Sequence, residues 1–291
     1  SILYLIIVSR YTSASDADNF SLAYAIGNLW IVIGMFQVRN YQATDLKEAY
    51  SYLEYWLTRV ITVCLMLVTL FPYLFLSGNN VGNGNLFLIV ILTVLYRSCD
   101  AFSDLFQGLF QQHERLDIAG KAMVYRYILS VLILLFGLLL SHSIVLTLMV
   151  LAFINLFFVF VYDYAHFKLF DRLSLSHIFS KNIFDESIKI IKVCFSLFIY
   201  GFLLTLVFNE AKLAISGAYA KGIVGTGAQR DYNILFMPVF FMSLLILVVR
   251  PLITQMAELW QKKQFQIFYK LFIKIILFTF IIGVFLDILA Y

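Results

Sequence analysis

Residues 86–110 read LFLIVILTVLYRSCDAFSDLFQGLF. A helix that crosses a bilayer needs ~20 mostly apolar residues, and this stretch has that length, contains no proline and carries only three charges, Arg97, Asp100 and Asp104. Their spacing of three and then four residues puts all three on one stripe of a helix. An ionisable side chain at the centre of a membrane helix costs about 2.5–3.5 kcal/mol on insertion scales, so each one retained there needs a partner, a water-filled cavity or a function. The stretch therefore reads as a membrane helix with a polar strip.

The same pattern recurs on both sides of it. Apolar runs of spanning length occupy about 19–38, 56–77, 122–141, 144–164, 190–215, 230–253 and 268–289. A shorter run, Ile2–Val8, reads as the tail of another helix: it has no initiator Met and no basic region before it, unlike a signal peptide. The last residues, Asp287 to Tyr291, follow a span directly. The expectation is an all-α, polytopic integral membrane protein, here a fragment with about nine transmembrane helices, the first one truncated. Whole-chain composition agrees. Of the 291 residues 62% are hydrophobic, 18% aromatic and 13% charged, with a mean hydropathy of +0.91, whereas soluble domains carry about 25% charged residues. Disorder, nucleic-acid binding and a disulfide scaffold each need polar, basic or cysteine-rich sequence and are excluded. Cys64, Cys99 and Cys194 read as small core residues. His113, His142, His166 and His177 make no HxxxH or HExxH pair, so neither metal nor other cofactor is expected.

Loops on the cytoplasmic side of a membrane protein retain Lys and Arg. Of the 21 basic residues, fifteen lie in or beside the segments 39–55, 111–121, 165–189 and 254–267, and only Arg10, Lys221 and Arg230 in the alternate loops. The first set is therefore expected to be cytoplasmic. The opposite set includes Ser77–Asn85, a Gly/Asn-rich turn too irregular for a phosphate-binding loop. The longest polar stretch, Tyr164–Lys189, divides six spans from three and reads as a linker, so that 1–165 forms one lobe, 166–189 the linker and 190–291 half of a second. A faint repeat crosses it. Asp18-Asn19-Phe20 enters a span that leaves through Arg39, and Asp231-Tyr232-Asn233 enters one that leaves through Arg250.

At Val8-Ser9-Arg10-Tyr11, Phe20-Ser21-Leu22-Ala23-Tyr24-Ala25-Ile26-Gly27-Asn28 and Val38-Arg39-Asn40-Tyr41-Gln42, the chain resembles the polysaccharide-transport branch of the multidrug/oligosaccharidyl-lipid/polysaccharide exporter superfamily. Asp104–Gln112 followed by Arg115–Lys121 looks like the connection between that family's fourth and fifth helices. The resemblance implies two pseudo-repeated helical lobes around a central cavity in the cytoplasmic membrane. It also implies an ATP-independent flippase that moves an undecaprenyl-pyrophosphate-linked oligosaccharide repeat unit for cell-surface polysaccharide biosynthesis. Its partners would be the lipid-linked oligosaccharide, membrane lipid and the polysaccharide polymerase and glycosyltransferases of the same process, with no nucleic acid. No enzymatic activity is implied.

The charged residues have two readings each. Arg97 meets substrate phosphate while Asp100 and Asp104 exchange protons or a cation, or Arg97 and Asp100 neutralise each other within a packed lobe. On the span 190–215, Lys212 meets a pyrophosphate and Glu210 takes part in ion coupling, or both snorkel to the interface. Arg39, Arg59, Arg126 and Arg250 lie at span ends, either as a basic mouth offering bidentate forks to a pyrophosphate or as ordinary positive-inside anchors. Asn28, with Gln37, Asn40 and Gln42, bonds sugars or ties helices together. Pro238, Pro251 and the glycines at 201, 217, 225 and 227 mark bends. Two other functions compete: a cation-coupled small-molecule antiporter of the same fold, and a polytopic membrane transferase. The transferase lacks a polar catalytic cluster such as paired His or DxD.

Overall fold

In the computed structural model, residues 2–43, 45, 49–76, 84–113, 115–168, 170, 181–236, 256, 259–260 and 263–290 are described. The turn 77–83, the middle of the linker (171–180) and most of the 230–253 span, with Pro238, Arg250 and Pro251, lie outside the described residues, and with them the exit of the second copy of the repeat. The described residues form helices joined by short turns, with no strand among them. These are α1 (Ile2–Tyr11), α2 (Ala14–Met35), α3 (Val38–Gln42), α4 (Tyr52–Leu76), α5 (Gly84–Gln112), α6 (Leu116–Ser141) and α7 (Ile144–Phe158). A π-helical turn (Val159–Asp163) leads from α7 into α8 (Tyr164–Phe167), and α9 (Lys181–Ala220), α10 (Ala228–Leu235) and α11 (Phe265–Ala290) follow. Among the described residues, seven helical segments are long and apolar enough to cross a membrane. The chain is a multi-pass all-α membrane protein.

Its packing divides it into two compact units, Leu3–Arg230 and Asp231–Tyr291. In the first unit α2 packs against α4, α5 and α9, and α7 packs against α5 and α6. Lipid tails are as apolar as leucine, so close van der Waals packing rather than water exclusion must hold such helices together. Glycines provide the approach. A Cβ at Gly27 would stand 3.0 Å from the Thr93 methyl, one at Gly34 2.7 Å from the Met66 sulfur, and one at Gly137 2.7 Å from the Thr147 methyl. Along α5 the buried residues up to Tyr96 join one apolar cluster, with Phe20, Tyr24, Trp30 and Met66. From Cys99 onward they join another, with Tyr52, Tyr55 and Phe167. The remaining large side chains face outward, including Val68 and Phe75 on α4 and Phe153 and Phe157 on α7. That outward apolar surface is what a lipid environment requires. In the second unit α11 exposes Ile273, Ile276 and Phe280, and Trp260 packs edge-on against Phe265 and Phe268.

Three features depart from the sequence expectation. The predicted span 19–38 is not one helix: it breaks at Phe36 and Gln37, both left-handed (φ 47° and 57°) although neither is Gly or Pro. The break leaves the Gly34 carbonyl without its helical donor, and Arg59 Nη1 (2.7 Å) and Thr62 Oγ1 (2.8 Å) on α4 donate to it instead. Second, α9 runs unbroken through Gly201 and Gly217. Gly201 is not a bend; its missing Cβ leaves room for the Gln37 amide, 2.6 Å from where that atom would sit. Phe36 stacks on Phe198 of the same helix at 4.2 Å. Third, α9 begins at Lys181, inside the expected linker, and its 40 residues span ~60 Å at 1.5 Å per residue. The bilayer core takes about 30 Å of that, and the charged first turns, with Asp185, Glu186 and Lys189, continue beyond it.

Candidate functional site

The polar strip of α5 is longer than the three charges that first define it. Arg97, Asp100, Asp104, Gln107 and Gln111 recur at alternating intervals of three and four, which keeps them on one face through about four turns. Each of them meets side chains on the strip or on neighbouring helices, in two groups, though Arg97 Nε and Asp100 Oδ1 form no hydrogen bond.

In the first group, Arg97 Nη1 donates to Asp100 Oδ2 at 2.9 Å and Nη2 to Asn28 Oδ1 on α2 at 2.5 Å. The guanidinium lies over the Tyr24 ring, 4.6 Å from its centroid, where the negative face of the ring favours a cation. Arg126, from α6, brings Nη2 within 2.8 Å of Asp100 Oδ1 in an ion pair without hydrogen-bond alignment. One carboxylate thus faces two guanidinium groups, all three buried.

In the second group, Asp104 is held by Arg39 Nη1 at 3.3 Å and by Arg59 Nη2 at 3.1 Å. Arg39 extends along the strip, with Nη1 donating to Gln107 Oε1 at 2.9 Å and Nη2 to Gln111 Oε1 at 3.2 Å. Arg59 is 0% exposed, whereas a quarter of the Arg39 side chain is accessible. The α2–α3 break places Arg39 here, since it reorients the chain two residues before this side chain, and Arg59 fixes the break to Asp104 through the Gly34 carbonyl.

The expected basic mouth is therefore divided. Arg39 and Arg59 meet at Asp104, Arg126 joins Arg97 at Asp100, and Arg250 lies outside the described residues. Asp104, which has no partner on its own helix, is taken by two other helices. Asn28 ties α2 to α5 through Arg97. Gln37 accepts from Asn40 at 2.5 Å, and Gln42 is fully buried with both amide atoms unpaired. On α9, Glu210 is exposed and Lys212 partly buried, and among the described residues neither has an ion-pair partner. The Lys212 carbonyl accepts from Gln229 at 2.6 Å, and Gln229 accepts in turn from Ser21 on α2 at 3.2 Å.

Sequence reasoning does not single out Asp163. It closes the π-helical turn, is 0% exposed, and neither carboxylate oxygen has a hydrogen-bond partner. The signal was present as a lone acid after the apolar run Val159–Tyr162, inside the span 144–164. No family model, curated protein or solved structure matches the chain.

The arithmetic of the strip decides its chemistry. Each group has two arginines and one aspartate, an excess of one positive charge apiece, and the two aspartates lie four residues apart on one helix, ~6 Å along its axis. Planar guanidinium groups with unspent donors match phosphate oxygens in a way that lysine does not. Such a strip attracts an anion and repels a cation.

Proposed function

We propose that this protein is a flippase for a lipid-linked oligosaccharide, moving a polyprenyl-pyrophosphate-linked repeat unit across the cytoplasmic membrane by alternating access without ATP hydrolysis. The observation that carries the reading is the twofold excess of arginine over aspartate along one face of α5. A purely structural ion pair needs one cation per anion, whereas these two groups, with the buried Asp163 beside Arg126 neutral, retain an uncancelled charge in a setting where charge is costly. A pyrophosphate headgroup supplies the missing negative charge. The resemblance of the N-terminal motifs to the polysaccharide exporters supplies the glycan and the polyprenyl chain. Two six-helix lobes around a cavity, with about nine helices in the present sequence, belong to the same proposal, as does delivery to a polysaccharide polymerase.

In this reading Arg39, partly accessible, makes the first contact with the headgroup, and Arg59, Arg97 and Arg126 form the buried continuation with Asn28 beside it. Lys212 contributes from α9. Asp100 and Asp104 keep the arginines spread until the anion arrives. The competing antiporter reading places a lipophilic cation against this same strip, and the positive excess disfavours it.

Binding separates the two. Purified protein in nanodiscs is expected to bind a polyprenyl-pyrophosphate oligosaccharide at least tenfold more tightly than the same glycan on an uncharged lipid, a difference of ~1.4 kcal/mol or more. Native mass spectrometry of the two complexes measures it directly. Equal affinity for charged and uncharged lipids, or preferential binding of a lipophilic cation, would remove the strip from any role in headgroup recognition.

A further inference from the structure

The first charge group has a neighbour that none of its pairings uses. Asp163 lies at the end of the π-helical turn, fully buried, with neither oxygen in a well-aligned hydrogen bond and only the Ser103 hydroxyl at hand among the described residues. π-Helical turns widen the backbone for one turn and occur often at functional sites; here the turn carries the acid. The groups facing it are few. Ser103 of α5 and Arg126 of α6 are its polar neighbours, and Tyr162 on the same turn and His166, one turn on, are the other nearby titratable groups. α7 contributes none, since Ile144–Phe158 contains no ionisable residue, and α8 adds Tyr164. The Ser103 hydroxyl accepts from Gln107 at 3.2 Å, which leaves its own hydrogen as the one neutral donor facing Asp163, and the His166 ring is engaged with the Tyr162 carbonyl at 2.8 Å.

A buried ionised carboxylate with at most a single hydroxyl to donate to it is strongly unfavourable. Two species can occupy such a site stably: the neutral acid, or the anion with a cation drawn to it. A metal ion needs several oxygen ligands, and among the described residues no group of three His, Cys, Asp or Glu side chains is arranged to supply them. The neighbouring cation is Arg126, which already pairs with Asp100 at 2.8 Å.

We propose that Asp163 is a proton-exchange site that sets the charge of the anion-binding strip. This rests on the flippase reading for its consequence, though not for the exchange itself. With the proton on Oδ, the acid is neutral, Arg126 stays with Asp100, and the group of Arg97, Arg126 and Asp100 keeps its excess positive charge. When the O–H bond breaks and the proton passes to water, the carboxylate draws Arg126 toward itself, and the four groups sum to zero. The protonated form holds an anionic headgroup and the deprotonated form releases it. Proton movement and anion movement are thereby coupled through Arg126, a residue shared by two carboxylates.

The test has two arms. The first is infrared difference spectroscopy of the purified protein in nanodiscs between acidic and alkaline pH. Wild type is expected to show the carbonyl stretch of a protonated carboxylic acid that disappears as pH rises, and Asp163→Asn, the isostere of the neutral acid, is expected to lack that band. Should the Asn variant fail to fold, Asp163→Glu keeps the titrating group and is expected to displace the band. A wild-type band that persists in Asp163→Asn, or stays in place in Asp163→Glu, would overturn the proposal. The second arm is transport of a polyprenyl-pyrophosphate oligosaccharide in proteoliposomes with and without a pH gradient. Wild type is expected to respond to the gradient, and Asp163→Asn to move the lipid at one rate in both conditions. A full gradient response in Asp163→Asn would overturn the coupling. If wild type moves no glycan lipid while the Asp163-dependent band is present, the flippase reading fails and the proton site stands.

Discussion

Asp100→Ala is expected to leave little folded protein. The carboxylate receives Arg97 at 2.9 Å and Arg126 at 2.8 Å, with all three side chains under a tenth exposed. Its removal leaves Arg97 with only neutral partners, Asn28 and the Tyr24 ring, and Arg126 with only the unaligned Asp163 as a neighbouring acid. Breaking a buried pair by deleting one partner costs about 3–5 kcal/mol, and here two cations lose their ion-pair carboxylate in one substitution. Against a total stability of ~5–15 kcal/mol, that is a large fraction. The expected result is a marked loss of monodisperse protein after detergent extraction and a lowered temperature of half-loss on heating, read by fluorescence-detected size-exclusion chromatography. A wild-type elution profile and thermal midpoint for Asp100→Ala would mean that Arg97 and Arg126 are held by something other than this carboxylate.

Arg97→Gln is expected to give the opposite result. Asp100 keeps Arg126 after the change, and the glutamine amide can still donate to Asn28 Oδ1, so no buried charge loses its last partner. What disappears is the excess positive charge of the group and the guanidinium over Tyr24. The protein is expected to reach the membrane at wild-type abundance and to lose at least tenfold in affinity for the pyrophosphate lipid, which corresponds to ~1.4 kcal/mol or more. Measuring abundance and lipid binding in the same preparation separates the roles. Poor folding with unchanged affinity per folded molecule would make Arg97 a structural partner of Asp100 and nothing more. The contrast between Asp100 and Arg97 follows from their positions: the aspartate is the single anion between two cations, whereas each arginine is one of a pair.

Much of the fold was legible because membrane helices announce themselves by length. An apolar run of ~20 residues permits few alternatives in a chain this hydrophobic, and the expected spans 56–77, 86–110, 122–141 and 144–164 each coincide with described helices. The strip of α5 was legible for a similar reason, since i, i+3 and i+7 spacing defines a helix face without any knowledge of what lies opposite. What lies opposite was not legible. Asp104 is met by Arg39 and Arg59, 65 and 45 residues away in the chain, and no local pattern records such a pairing. Glycine signals misled in one place. Gly201 marks a close approach between α9 and Gln37, while the actual break falls at Phe36 and Gln37, where tertiary contacts from Arg59, Thr62 and Phe198 sustain a left-handed backbone that local propensity disfavours. Asp163 was visible as an intramembrane acid, but only its burial and its empty hydrogen-bonding oxygens distinguish it from an interfacial one.

The charges of α5 thus belong to one arrangement: arginines drawn from α3, α4, α5 and α6 converge on two aspartates of one helix face and leave a positive excess behind. The central claim is that this excess exists to carry an anionic glycan lipid across the bilayer. Trans-bilayer movement of a labelled polyprenyl-pyrophosphate oligosaccharide in proteoliposomes, with no nucleotide present, tests it most directly. The account predicts protein-dependent arrival of the label in the opposite leaflet, lost in Arg97→Gln. Absence of movement for every glycan lipid offered to folded wild-type protein, with transport of a small lipophilic cation in its place, would contradict it.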